Sequence, residues 1–260
     1  MSFDLLVVIL LAMVGLSLGS AVTALAHRLP RSMSYVRGRS QCPHCGRVLT
    51  AMDLIPVLSF TFQRGRCRSC GHPIGWRYPL TELACAAWLV LLYPRVGLSW
   101  ELALLALWGV MLVALVWIDL DFQLLPDALT FPGIAVGLGV ALLRPGGWLH
   151  ALIGIAVGSG TLGLIAWAYL KVRRVEGMGL GDIKLAAMMG AVLGGPLILL
   201  AIFLASLAGS LWGLVLVATG RGGGQTALPF GTLLAPAAMV SFLWGPMLFA
   251  AYAALLRGIR

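Results

Sequence analysis

The chain has 260 residues, of which 60% are hydrophobic and 10% charged, and its mean hydropathy is +0.99. Those values exclude an ordinary soluble domain and make a lipid bilayer the main solvent. The net charge of +9 does not call for nucleic acid, because nine of the 18 basic residues fall in one segment, Arg28 to Arg77, between apolar stretches, and in a membrane protein such asymmetry first reports topology.

Apolar windows predict helices near 4–26, 79–94, 99–118, 128–144, 148–170, 182–194, 196–219 and 232–256, each judged against the roughly 20 residues that span a bilayer. The expected fold is therefore an all-α polytopic membrane protein with about eight transmembrane helices. The first window, Asp4 to Ala26, runs into His27-Arg28-Leu29-Pro30 and not into a small-residue cleavage site, so it reads as a retained helix at 1–26 and not a removed signal. Residues 27–78 are rich in Arg, Gly, Pro and Cys and form the one stretch suited to a small water-facing domain; residues 79–260 make the membrane core. Gly190, Gly194, Gly195 and Pro196 predict a tight reversal between two short helices. Lys171, Arg173, Arg174 and Arg221 share a face with the Arg-rich insert, while the opposite loops hold Arg95 and Arg144. The basic face is therefore expected in the cytoplasm and the N-terminus outside, with Arg257 and Arg260 as mild exceptions.

Within the insert, Cys42-x2-Cys45 and Cys67-x2-Cys70 are separated by 21 residues. Two such knuckles match a structural zinc site of four thiolates, which a reducing compartment favours over disulfides. A segment of about 50 residues builds little apolar core, so metal would supply its folding free energy. A redox role is the lesser alternative, since the βαβ setting of thioredoxin-type motifs is absent. His44 and His72 read as solvated neighbours of the knuckles, and Cys85 as a packing residue in a helix.

Four of the nine acidic residues abut apolar helices: Asp119, Asp121 and Asp127 in one cluster, and Asp182 in Gly179-Leu-Gly-Asp182. Ionisable groups at such depth are costly, so function is the default reading, with interfacial anchors and caps the plainer one. Two crossings separate the clusters, and an even number returns the chain to its starting face. Asp119 and Asp182 are thereby expected on the same border, where two close carboxylates share one proton and can run aspartic proteolysis. Gly179 and Gly181 would let backbone approach that site. Asp121 would tune the pair's proton affinity, and Asp127 would cap the helix it opens. Lys184 has two readings, a stabiliser of the dyad or leader carbonyls and a snorkelling lysine. Glu82 likewise either pairs with a leader Lys or favours its helix N-terminus.

Gly179-Leu-Gly181-Asp182 resembles the GxGD signature of intramembrane aspartic proteases, and the whole chain resembles the type IV prepilin peptidases. The likeness also runs through Gly19-Ser20, Arg28-Leu-Pro30, Cys42-Pro-His-Cys45, Ile55-Pro-Val-Leu-Ser59, Arg64 to Cys70, Arg77-Tyr-Pro-Leu-Thr-Glu82, Asp119 to Asp127 and Leu228-Pro-Phe-Gly231. The resemblance implies Asp119, seven residues before Pro126, and Asp182 as the catalytic pair. It also implies cleavage after the glycine that ends a short basic leader of type IV prepilins or pseudopilins, on the cytoplasmic side of a bacterial inner membrane. N-methylation of the new N-terminal residue with S-adenosylmethionine is implied with it.

The insert's Arg residues then serve either retention and anionic-lipid contact or recognition of an acidic feature in the substrate. Ala21, Thr23 and Ala86 depart from the family's usual residues, and no Rossmann-type glycine loop supports methyl transfer independently. A peptidase without methyltransferase activity is therefore one alternative. A proton- or cation-coupled transporter is another, which an inverted repeat would favour.

Overall fold

The computed structural model describes residues 3–34, 38–175, 177–220 and 229–258; Arg221, Leu228 and Arg260, singled out above, lie outside them. Eight α-helices are present among the described residues: α1 (Phe3–Arg28), α2 (Leu58–Phe62), α3 (Arg77–Val96), α4 (Trp100–Phe122), α5 (Asp127–Leu142), α6 (Gly147–Arg173), α7 (Leu180–Ala218) and α8 (Phe230–Gly258). The segments Phe3–Arg31, Trp100–Phe122, Gly147–Arg173, Leu180–Ala218 and Phe230–Arg257 are long and apolar enough to cross a membrane, and α5 is a shorter apolar helix. The protein is a multi-pass all-α membrane protein. Its backbone groups are satisfied within each segment, as a bilayer without hydrogen-bonding solvent demands. The chain divides into two compact units, Met1–Ala114 and Leu115–Arg260.

In the first unit α1 and α3 run antiparallel at close range. A Cβ on Gly15 would lie 2.5 Å from the Ala86 Cα, and one on Gly19 would lie 2.4 Å from the Glu82 Cα. Small residues four apart thus bring two backbones together, the usual basis of helix packing in lipid. At the far end Tyr93 donates to Asp4 (2.8 Å). Trp88 donates its buried indole N–H to the Leu105 carbonyl (2.9 Å), and its ring occupies the place a side chain at Gly109 would need.

In the second unit α6 receives α7 through Gly154 and Gly158. A Cβ at Gly158 would touch both the Ala186 carbonyl oxygen (2.7 Å) and Ile198 Cγ1 (2.9 Å). A straight helix would hold residues 186 and 198 about 18 Å apart, so the helical run folds back on itself. The break is at Gly194, with φ 71° and ψ 180°, a conformation that only glycine adopts readily. Counting the two arms of α7 separately, the long helices number eight among the described residues, and the reversal expected from Gly194-Gly195-Pro196 is present. Gly133 and Gly137 of α5 seat Met188 and Ala191 of the first arm, and Ser241 of α8 donates to the Leu197 carbonyl of the second (2.7 Å).

One local expectation is corrected. Pro126, not Asp127, occupies the N-cap of α5, because the preset proline φ starts the helix and leaves Asp127 in its first turn. Asp127 accepts instead an ion pair from Lys184, 2.6 Å away.

Candidate active site

Asp119 lies in the last turn of α4 and is only 5% exposed. Its Oδ2 accepts the backbone N–H of Thr232 (2.6 Å) and the Thr232 hydroxyl (3.0 Å). Thr232 is the third residue of α8, so its N–H is one of the donors that a helix cannot satisfy internally. The positive end of the helix dipole adds to this cradle for a carboxylate. Gly231 makes the approach feasible, since a Cβ there would stand 3.0 Å from Asp119 Oδ2.

Asp182 is the third residue of α7 and reaches back to the backbone N–H of Gly179, which holds the N-cap position. The carboxylate thus sits beside its own helix N-terminus, with Oδ2 3.9 Å from where a Cβ on Gly179 would stand. Gly181 and Gly231 both close on Leu125: Cβ atoms at these positions would lie 3.0 Å and 3.2 Å from Leu125 carbons. The first turns of α7 and α8 thereby converge on the turn that follows α4, and Asp119 is near enough to act electrostatically on Asp182. Two carboxylates, each held at a helix N-terminus, form one cluster. Asp121 stands on the exposed side of the same turn of α4. Lys184 is engaged by Asp127 and lies 5.3 Å from the Phe131 ring centroid.

The four insert cysteines form a second cluster, with all Sγ atoms within 4.8 Å of one another. Both knuckles fold alike: the Gly46 N–H donates to Cys42 O and the Gly71 N–H to Cys67 O, each at 2.9 Å, with both glycines at φ near 70°. The N–H groups of Cys70 and Ser69 pull the Cys67 thiol down to about 6, and those of Cys45 and His44 lower that of Cys42. Such a donor shell suits thiolates bound to a metal. A zinc tetrahedron with Zn–S near 2.3 Å spaces its sulfurs about 3.8 Å apart, and Cys42 and Cys70 Sγ are 3.9 Å apart. His44 and His72 stack on each other, with centroids 4.3 Å apart. Cys85 is buried in α3, outside the group.

The bacterial peptidase A24 N-terminal domain matches residues 13–96, and the type IV leader peptidase family matches residues 102–214. A prepilin leader peptidase/N-methyltransferase of Bacillus subtilis (strain 168) is 36% identical over 239 residues, covering 92% of this chain and 94% of the relative. The chain belongs to the type IV leader peptidase family. Relatives of the same description from Aeromonas hydrophila (42% identical; 80% of this chain, 72% of the relative) and Stutzerimonas stutzeri (36%; 92% and 91%) agree. No solved structure matches the chain.

Within that family frame, Asp119 and Asp182 fall inside the leader peptidase match, and the cysteine cluster and Glu82 fall inside the N-terminal domain match. Glu82 belongs to the first unit, is buried, and accepts the Val57 N–H at 2.7 Å and the Ser20 hydroxyl. Thr232 was not among the residues singled out by sequence. Its only signal is its place three residues after Pro229, where a helix with free N–H groups begins.

Proposed function

We propose that this chain cleaves the leader of type IV prepilins or pseudopilins at the cytoplasmic face of a bacterial inner membrane, with Asp119 and Asp182 as the catalytic pair. The observation that carries this reading is the convergence on Leu125 of the first turns of α7, which bears Asp182, and α8, which holds Asp119. One carboxylate of such a pair stays protonated while the other is ionised. The ionised member takes a proton from the attacking water, and the protonated member polarises the scissile carbonyl and then supplies the proton for the departing amine. Thr232 is a positioning residue that fixes Asp119 Oδ2, and the first turn of α7 carries Asp182.

Zinc in the Cys42, Cys45, Cys67 and Cys70 cluster is structural in this reading: four thiolates leave no open position for a water. The relatives' name joins leader peptidase with N-methyltransferase; in this chain the new N-terminus is the group to be methylated, and S-adenosylmethionine would supply the methyl group. Two positions at which the chain departs from the family offer that cofactor no free polar group. Ala86 is packed against the Gly15 backbone, and the Thr23 hydroxyl is taken up by the Ser20 carbonyl at 2.7 Å. No step through the cofactor follows from these positions.

The Lys171, Arg173, Arg174 and insert charges support a cytoplasmic insert and an outside N-terminus. Incubating the purified chain with a pilin precursor in detergent, with and without S-adenosylmethionine, tests the proposal. Cleavage after the leader glycine without cofactor, and a mass gain of one methyl group only with it, is the expected pattern. No cleavage by the intact protein would reject it.

A further inference from the structure

The insert does not simply stand above the membrane. Glu82 lies five residues inside α3 and is backed by Gly19, nine residues before the end of α1. At 1.5 Å per residue its Cα sits about 7.5 Å below the start of α3 and about 13 Å below the end of α1. Its carboxylate nonetheless accepts the N–H of Val57, from the middle of the insert. Residues around Val57 therefore reach down to the level of the helix ends or beneath it.

Three local features suit that position. Pro56-Val57-Leu58 makes a γ-turn, with the Leu58 N–H donating to Pro56 O and Val57 at φ 59° and ψ −47°. This strained turn in a β-branched residue turns the Val57 N–H outward, where Glu82 and not water receives it. Non-helical backbone at membrane depth persists only when its polar groups find such partners.

Next, the side chains flanking the turn are apolar and uncovered: Met52 is 66% exposed and Phe62 79%, with Leu54, Ile55 and Leu58 also exposed. Phe60 meanwhile tilts against Trp76, at 5.1 Å between centroids, and packs α2 onto the entry to α3. Finally, the charge is one-sided. Asp53 is the one acidic residue of 51–68 and is matched by Arg47 and Arg68, while Arg64 and Arg66 are exposed just beyond Phe62.

We propose that residues 51–62 form an interfacial wedge that lies in the headgroup and upper acyl region of the bilayer, its apolar side chains in lipid and Arg64 and Arg66 on anionic headgroups. This rests on α1 spanning the membrane with α3 packed along it, and not on the proposed peptidase chemistry. Continuity with the spanning helix α1 and with α3 packed along it, the depth set by Glu82 and the adjoining arginines favour lipid as the occupant. Glu82 is the internal anchor of this wedge.

The test uses the intact chain in vesicles of phosphatidylcholine and phosphatidylglycerol, with a coumarin amino acid in place of Phe62. A nitroxide on the upper acyl chain should remove most of the fluorescence, and aqueous iodide little. Glu82→Ala should reverse that order by freeing the Val57 N–H, whereas Glu82→Gln, which still accepts a hydrogen bond, should preserve it. Ready quenching by iodide and none by the lipid nitroxide would overturn the proposal, even if Glu82→Ala does not accumulate. Shielding from iodide that appears only after a precursor is added would also overturn it, by assigning the face to a protein partner.

Discussion

Asp119 depends on a residue 113 positions away in the chain: both hydrogen bonds to its Oδ2 come from Thr232. Asp119→Asn and Asp182→Asn should each abolish precursor cleavage while the protein still inserts, because a pair missing one ionisable member cannot perform both proton transfers. Thr232→Val keeps the backbone N–H and removes the hydroxyl. It should lower kcat by roughly tenfold, the kinetic equivalent of about 1.4 kcal/mol, with KM little changed. Steady-state cleavage of a precursor by the purified variants measures both effects, and an unaffected Thr232→Val enzyme would limit Thr232 to its backbone. The two aspartates were legible in sequence because chain parity alone puts them on one border. Thr232 was not, since a backbone donor at a helix start carries no side-chain signature. Asp127 shows the converse: its capping role looked plausible until Pro126 proved to hold the N-cap and Lys184 to hold Asp127.

At the scale of elements, the insert is organised by two hubs, the four sulfurs and Asp53. Zinc at about one equivalent should copurify, and Cys42→Ser or Cys67→Ser should lose it. A chelator should inactivate slowly, by unfolding of the insert, since the proposed chemistry uses no metal. Metal analysis and time courses of activity check this together.

Asp53 is held below the usual carboxylate range first by the Thr50 N–H and hydroxyl and then by Arg47 and Arg68. Because its folded value is lowered, its stabilisation is complete above the unfolded carboxylate range near pH 4 and is lost as pH falls through the lower folded value. Asp53→Asn should therefore destabilise the insert by roughly 1–3 kcal/mol at neutral pH and show a smaller difference from wild type in acid. Denaturant melts of the two proteins across pH measure it; a gap that widens in acid would contradict the assignment. The knuckles were readable because ligand spacing is local. The γ-turn at Val57 was not, because a β-branched residue gives no sign of a positive φ.

For the whole molecule, the distribution of small residues explains how a chain this apolar acquires a specific fold. In lipid no hydrophobic gain drives helices together, so close backbone approach at Gly15, Gly19, Gly154 and Gly158 takes that role. The reversal at Gly194 was legible from its glycine and proline neighbours, and with it the count of long helices among the described residues. Which helix faces meet was not, because the apolar residues of α4 to α7 encircle each helix and leave no polar stripe to orient it.

Asp119 at the end of α4 and Asp182 at the start of α7 are proposed to cut a precursor without metal chemistry. Purified wild type, Asp119→Asn and Asp182→Asn, each with zinc content verified, should be incubated with one pilin precursor and the products weighed. Wild type should release the leader completely and neither zinc-loaded variant should release any. Turnover near wild type in either variant would contradict this proposal.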